Sequence, residues 1–255
     1  MAVTKAICLN ADIGEMPGEP GRALDRAMLD VVTRCSIASG GHAGDAQSMA
    51  ATVKAADARN VLIGAHPSYP DREGFGRRAM AMDADALRDS LLEQVRALAS
   101  IARERGQALS HLKPHGALYN TAARDAGIAR VVVEATLRSR IDLLIGPPHS
   151  KLAAAAADSG LPFLAEGFAD RTYEASGDLT PRTEPGAVIE TDADRIRQAL
   201  QIVETGTVTT RTGETLQLPV RTICVHGDTP GALASARHIR SALESSGIVV
   251  APVEP

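Results

Sequence analysis

Short apolar runs that read as strands alternate with helical stripes seven or eight times along this chain, with no linker between them. The runs are residues 5–9, 35–39, 61–65, 109–113, 142–145, 162–165 and 222–225, with a short eighth at 248–250. Stripes such as Leu87, Leu91, Val95 and Leu98 fill the intervals at helical spacing. Strands separated by helices pair in parallel, because the helix carries the chain back to the same end of the sheet. The expected fold is α/β: one irregular (β/α) barrel of about seven parallel strands spanning residues 1–255. A doubly wound open sheet is the alternative. It calls for a phosphate-binding glycine turn, but Gly40-Gly-His-Ala-Gly44 lacks the dinucleotide spacing and no Walker A sequence occurs. Residues 207–218 alternate Thr and Val around Thr212-Gly-Glu214 and read as a hairpin insertion.

Composition narrows the functions. Net charge is −4, which argues against a basic nucleic-acid footprint. No apolar run approaches the roughly 20 residues of a membrane helix. The N-terminus has no signal-peptide anatomy, so a cytoplasmic location is expected. Cys8, Cys35 and Cys224 are odd in number, lack CxxC spacing and fall in apolar strands. They read as reduced core residues.

Polar residues collect just after the strands: Asp12 and Glu15, His42 and Asp45, His66, Lys113 and His115, His149, Glu166, Asp170 and Arg171, and His226 and Asp228. Of the seven histidines, only His238 lies clearly inside a helix. In a barrel these exits converge on one mouth, where ligands bind. Single residues keep plainer readings. Asp45 and Asp228 suit helix caps, and Arg77 with Arg78 suits a solvated pair.

The stretch His111-Leu-Lys-Pro-His-Gly-Ala-Leu-Tyr-Asn120 carries the most chemistry. Alternation along a strand puts His111 and Lys113 on one face, with His115 at the strand's end. Pro114 and Gly116 stop the strand, and a helical pattern resumes from about Thr121. The His111/His115 spacing matches a helical zinc-protease pair, but Pro114 breaks such a helix and no Glu occupies position 112. The plain alternative is a satisfied strand-end histidine and a solvated lysine.

Asp12, His42 and His66 follow successive strands and form a set able to hold a divalent metal with open positions. Such a metal lowers the pKa of bound water toward about 7 and polarises a carbonyl. Lys113 is placed to stabilise an oxyanion or phosphoryl group, and Glu166 or Asp12 to act as acid or base. The chemistry suggested is hydrolysis of an acyl or amide bond, with or without phosphoryl activation. Loops 68–78 and 172–190, rich in Gly and Pro, are expected to cover the mouth.

Asn10-Ala-Asp-Ile-Gly-Glu15, Gly41-His-Ala-Gly-Asp45, Gly64-Ala-His-Pro-Ser-Tyr-Pro70, Gly74-Phe-Gly-Arg-Arg78, Lys113-Pro-His-Gly-Ala-Leu-Tyr-Asn120, Glu166-Gly-Phe-Ala-Asp-Arg171, Pro185-Gly-Ala-Val188 and Cys224-Val-His-Gly-Asp228 resemble the LamB/YcsF family, the A subunits of 5-oxoprolinase. The resemblance implies a glycoside hydrolase/deacetylase-like barrel. It implies ATP-dependent opening of the lactam 5-oxo-L-proline to L-glutamate, with ATP and Mg and with subunits B and C. Under it, Asp12, Lys113, His115 and Glu166 are catalytic candidates. Glu15, His42, Asp45, His66, Arg77, Asp170, Arg171, His226 and Asp228 are candidates for binding substrate or nucleotide. Arg77, Lys113 and Arg171 would balance phosphate charge. Ser36-Ile-Ala-Ser-Gly-Gly41 departs from the family's usual Asn-Ile-Ala-Cys-Gly-Phe, and Met16-Pro-Gly-Glu-Pro20 is shorter than usual. A stand-alone metal-dependent amidohydrolase or deacetylase, and a non-catalytic ligand-binding subunit, are the alternative functions.

Overall fold

The structure, a computed structural model, describes residues 5–225 and 231–255. In chain order its elements are β1 (Ala6–Ile13), α1 (Gly18–Leu29), β2 (Arg34–Ala38), α2 (Ala46–Asp57), β3 (Leu62–His66), α3 (Ala84–Arg103), β4 (His111–Leu112), α4 (Gly116–Arg124) and α5 (Ala126–Arg138). There follow β5 (Leu144–Gly146), α6 (Lys151–Asp158), β6 (Phe163–Phe168), α7 (Asp192–Thr205), β7 (Thr207–Thr209), β8 (Thr215–Gln217), β9 (Thr222–Cys224), α8 (Ala232–Ser245) and β10 (Val249–Val250).

Strands β1 to β6 and β9 pair in parallel in that order, and β9 returns to β1 through Cys8↔Thr222 and Asn10↔Cys224. The result is a closed seven-stranded barrel, not an open sheet. β10 pairs with β1 at Ala6 and Ile7, before β9 takes over that edge. Antiparallel β7 and β8 make a hairpin between α7 and β9. Among the described residues no helix is long and apolar enough to cross a membrane.

Alternation sorts the two barrel faces. Leu9, Ala11 and Ile13 of β1, with Cys35 and Ile37 of β2, Ile63 and Ala65 of β3 and Ile223 of β9, pack outward against Val53, Leu91, Val95 and other helix residues. Strands buried on both sides read as continuous apolar runs, which is why the sequence exposes them so clearly. Inside, the barrel changes character along its axis. One end is apolar, closed by Cys8, Leu143, Ile145, Leu164 and Val253. Buried Arg34 donates to the Val253 carbonyl and fixes the C-terminal tail there. The three cysteines are free and buried.

Gly64 decides how the middle of the barrel is filled. It sits opposite His111 in the β3–β4 register, and a Cβ there would lie 2.4 Å from the His111 ring. The missing side chain is the space that His111 occupies, with Ser110 Oγ 2.8 Å from Nδ1 and Ser36 Oγ 3.4 Å from Nε2. Burial holds His111 well below the usual imidazole range, so it is neutral.

Several elements run past their expected ends. β1 extends to Ile13 because β2 pairs with it from Asn10 onward. β6 extends to Phe168, which puts Glu166 inside the barrel. β4 is only His111–Leu112, and α4 starts at Gly116 rather than near Thr121, with His115 at its N-cap position. Pro114 ends the strand, as expected, but the helix begins two residues later.

Candidate functional site

Above the neutral His111 layer the interior becomes charged. Lys113 is 2% exposed, and its ammonium lies 3.0 Å from Asp12 Oδ1 and 2.7 Å from Glu166 Oε1. It donates to Asn10 Oδ1 at 3.1 Å and to Cys224 Sγ at 3.3 Å. Asn10 Nδ2 donates in turn to Glu166 Oε1 at 2.9 Å and to Thr222 Oγ1 at 2.8 Å. These contacts overturn the solvated-lysine alternative. The strand phase turns Lys113 inward, where only a charged partner can offset the loss of water. Burial works to lower its pKa, but Asp12 and Glu166 outweigh it and hold the ammonium well above the usual range. Burial pushes the Glu166 carboxyl up and Lys113 opposes that rise. Two carboxylates against one ammonium leave a surplus negative charge, which suits an acid–base role.

A second cluster crowns the first. His66 ends β3, His115 caps α4, and His42 follows β2. Glu15 Oε1 lies 3.0 Å from His42 Nε2, 3.2 Å from His115 Nδ1 and 3.7 Å from His66 Nε2. His115 Nδ1 is 3.0 Å from His66 Nε2. The rings of His42 and His115 stack with centroids 3.6 Å apart. Burial drives His66 down to about 3, so it is neutral. For Glu15, burial works upward, but the adjacent His115 and His42 rings outweigh it and hold the carboxylate ionised.

The loop at 68–78 is built around these histidines. Gln94 of α3 accepts from Ser68 N and donates to Ser68 O, so a buried amide pins the loop's start. Asp71 pairs with Arg78 across the turn. Arg72 donates to the carbonyls of Gly40 and Gly44, tying this loop to the one bearing His42. Gly76, at φ +63°, passes so close that a Cβ there would lie 2.9 Å from the His42 and His115 side chains.

Over both clusters lies a cavity of about 390 Å³ lined by Asp12, Glu15, His66, Lys113, His115 and four arginines, Arg77, Arg124, Arg171 and Arg182. Both loops expected at the mouth line it. Arg77 also sits over the Phe75 ring. Arg171 is buried and donates to the carbonyls of Thr180 and Ala187, so it braces loop 172–190 from within. A second cavity of about 220 Å³ adjoins on the far side of Glu166, Tyr119 and Phe168.

Other candidates lie elsewhere. Asp45 is exposed and caps α2 through a reciprocal pair with Ser48, the plainer of its two readings. Asp170 is buried beside Arg195 and Ser235, away from the mouth lining. His226 and Asp228 lie outside the described residues. The expected metal set also divides. His42 and His66 do converge, but with Glu15 and His115, whose ligand atoms all lie within 4.8 Å of one another. Asp12 instead contacts Lys113, and reaches His66 Nε2 at 3.4 Å. Asn10 was missed as a site residue, although alternation from Asp12 places it on the same inward face.

The LamB/YcsF family model matches residues 7–255. The chain is 48% identical over 250 residues to a protein of Methylococcus capsulatus named as the A subunit of 5-oxoprolinase, covering 98% of this chain and 96% of that one. It is 48% identical over 247 residues to the 5-oxoprolinase A subunit of Bordetella pertussis, covering 96% and 98%. Among solved structures it resembles a lactam utilization protein from Thermus thermophilus, with a TM-score of 0.89 and 34% identity over 97% of this chain and 100% of that one. The catalytic domain of a peptidoglycan N-acetylglucosamine deacetylase from Eubacterium rectale shares the fold alone, at TM-score 0.51, 10% identity and coverage of 99% and 90%. A match across residues 7–255, with relatives this similar along nearly their whole length, makes the chain a member of the LamB/YcsF family.

Proposed function

We propose that this chain is the subunit of an ATP-dependent 5-oxoprolinase in which the lactam of 5-oxo-L-proline is opened to L-glutamate. The observation that carries the reading is Lys113, clasped by Asp12 and Glu166 beneath a cavity rimmed by arginines. The names of the relatives supply the substrate class. A five-membered lactam is a poor electrophile, and a phosphoryl group on its oxygen makes the ring carbon attackable by water. ATP with Mg would supply that group from a site on, or shared with, subunits B and C. Water adds to the ring carbon, the carbon–nitrogen bond breaks as the amine gains a proton, and a second water releases phosphate from the acyl phosphate. The arginines offset the carboxylate and phosphoryl charge, Lys113 steadies the oxyanion, and Asp12 or Glu166 carries the proton.

The test is reconstitution with subunits B and C, following glutamate and ADP. Turnover of 5-oxoproline that needs all three subunits is the expected result. Activity of the complex on another amide, with none on 5-oxoproline, would overturn the substrate. A second reading, a free-standing metal-dependent amidohydrolase, draws on the imidazole cluster. Amide hydrolysis by the isolated chain, stimulated by a divalent metal and indifferent to ATP, would favour it.

A further inference from the structure

The hydrogen bonds of His66 and His115 restrict where their protons sit. His66 Nδ1 lies 2.8 Å from the Lys113 carbonyl. A carbonyl only accepts, so that nitrogen carries the hydrogen and the neutral ring turns its Nε2 lone pair inward. His115 Nε2 lies 2.9 Å from the Phe75 carbonyl, so a neutral His115 likewise turns its Nδ1 lone pair inward. These two lone pairs face each other at 3.0 Å, with Glu15 Oε1 alongside. With His115 neutral, His42 Nε2–H is the one donor of the set that can answer Glu15 Oε1, and the His66 Nε2 and His115 Nδ1 lone pairs are left facing each other unless something positive occupies the centre.

We propose that His42 Nε2, His66 Nε2, His115 Nδ1 and Glu15 Oε1 bind a divalent first-row transition metal of the zinc class. Three arguments support this set over Asp12, His42 and His66. The spacings approach a coordination shell: bonds of about 2.1 Å put neighbouring ligands about 3.0–3.4 Å apart, three of the contacts are 3.0, 3.2 and 3.0 Å, and a fourth, at 3.7 Å, is slightly wider. The outer nitrogens of His66 and His115 donate to backbone carbonyls, the support that orients metal-bound imidazoles. Three imidazoles with one carboxylate suit Zn²⁺ or Co²⁺ better than Mg²⁺ or Ca²⁺, which favour all-oxygen sites. His42 Nδ1 finds no hydrogen-bond partner among the described residues, so stacking on His115 sets that ring instead. A proton on His115 Nδ1 would answer one of the contacts, whereas a metal answers all of them. Because Glu15, His66 and His115 line the mouth cavity, one face of the ion would be open to a ligand there. The bound ion would supply a Lewis acid beside Lys113.

The inference does not depend on the lactam reading, and its test reads metal rather than turnover. The full-length chain is stripped with a chelator, then dialysed against Zn²⁺ or Co²⁺. Elemental analysis is expected to find about one ion per chain, and the Co²⁺ form to show visible d–d absorption of a nitrogen-ligated site. His66→Gln and Glu15→Gln should each weaken Zn²⁺ binding by about 100-fold or more, since loss of a supporting residue alone costs 10–100-fold. His238→Gln, at an exposed position of α8, should bind like the unaltered chain. Far-UV circular dichroism checks that each variant is folded. Should a variant not fold, histidine ¹⁵N shifts of the unaltered chain decide. With Zn²⁺ added, His66 and His115 should be neutral and metal-shifted. A His115 imidazolium that persists in excess Zn²⁺, or a folded chain that retains no stoichiometric Zn²⁺ or Co²⁺, would overturn the proposal.

Discussion

The Lys113 ammonium lies 2.7 Å from the Glu166 carboxylate, joining the ends of β4 and β6 across the barrel interior. Lys113 is 2% exposed and Glu166 1%, with the mouth cavity over one and the second cavity beside the other. That burial makes Lys113 a structural and a chemical residue together.

Lys113→Met is therefore expected to lower stability by about 3–5 kcal/mol, the usual cost of stranding a buried charge. Here Asp12 and Glu166 would both lose their counter-ion. Adding Glu166→Gln removes part of the repulsion and should recover part of the loss in urea melts. Neither variant should approach normal turnover in the reconstituted complex; a deficit of about 100-fold or more is expected. Normal turnover by a folded Lys113→Met chain would remove Lys113 from the chemistry.

Gly64→Ala tests how tightly the barrel middle is filled. The new methyl would meet the His111 ring at 2.4 Å. Overpacking of this kind costs about 1–3 kcal/mol, read as a lower melting temperature. Pairing it with His111→Ala should restore part of the loss, because the methyl then fills vacated space.

Asp25 provides a pH test in the metal-free chain. It is buried in α1 and accepts from Gly14 N at 3.1 Å. Burial raises its pKa from 3.8 to about 6. The folded state then holds a proton that the unfolded chain has released. This contribution is fully present below about pH 4, fades as pH rises through 6, and is absent above. Its size is on the order of 3 kcal/mol. Asp25→Asn should leave stability near pH 4 little changed and raise it at pH 8. Equal effects at both pH values would show that Asp25 is not titrating there.

Arg171→Ala should loosen loop 172–190, since the guanidinium supplies hydrogen bonds to Thr180 and Ala187 from a buried position. Hydrogen bonds from a charged donor contribute about 1.5–3 kcal/mol. Limited proteolysis should cut this loop faster in the variant. In the unaltered chain, substrate and nucleotide should slow cleavage of both 68–78 and 172–190. Equal rates with and without ligand would count against a lid role.

What the sequence determined on its own was periodic. Alternating apolar runs and helical stripes favoured the parallel barrel over an open sheet, and a period of two placed His111 and Lys113 on one shared face. The family motifs were legible because each is a contiguous string. Strand ends were not, since β1 reaches Ile13 only because β2 pairs there, and β6 carries Glu166 inward only because β9 lies beside it. The imidazole cluster was half visible. Residues after successive strands suggested Asp12, His42 and His66, but Glu15 and His115 enter through a loop after β1 and a helix cap after β4. Their approach is set by barrel closure and by Gly76 and Gln94 holding the 68–78 loop in place. Local spacing carries no information about such distances. They follow from packing between segments far apart in the chain, which only the tertiary structure decides.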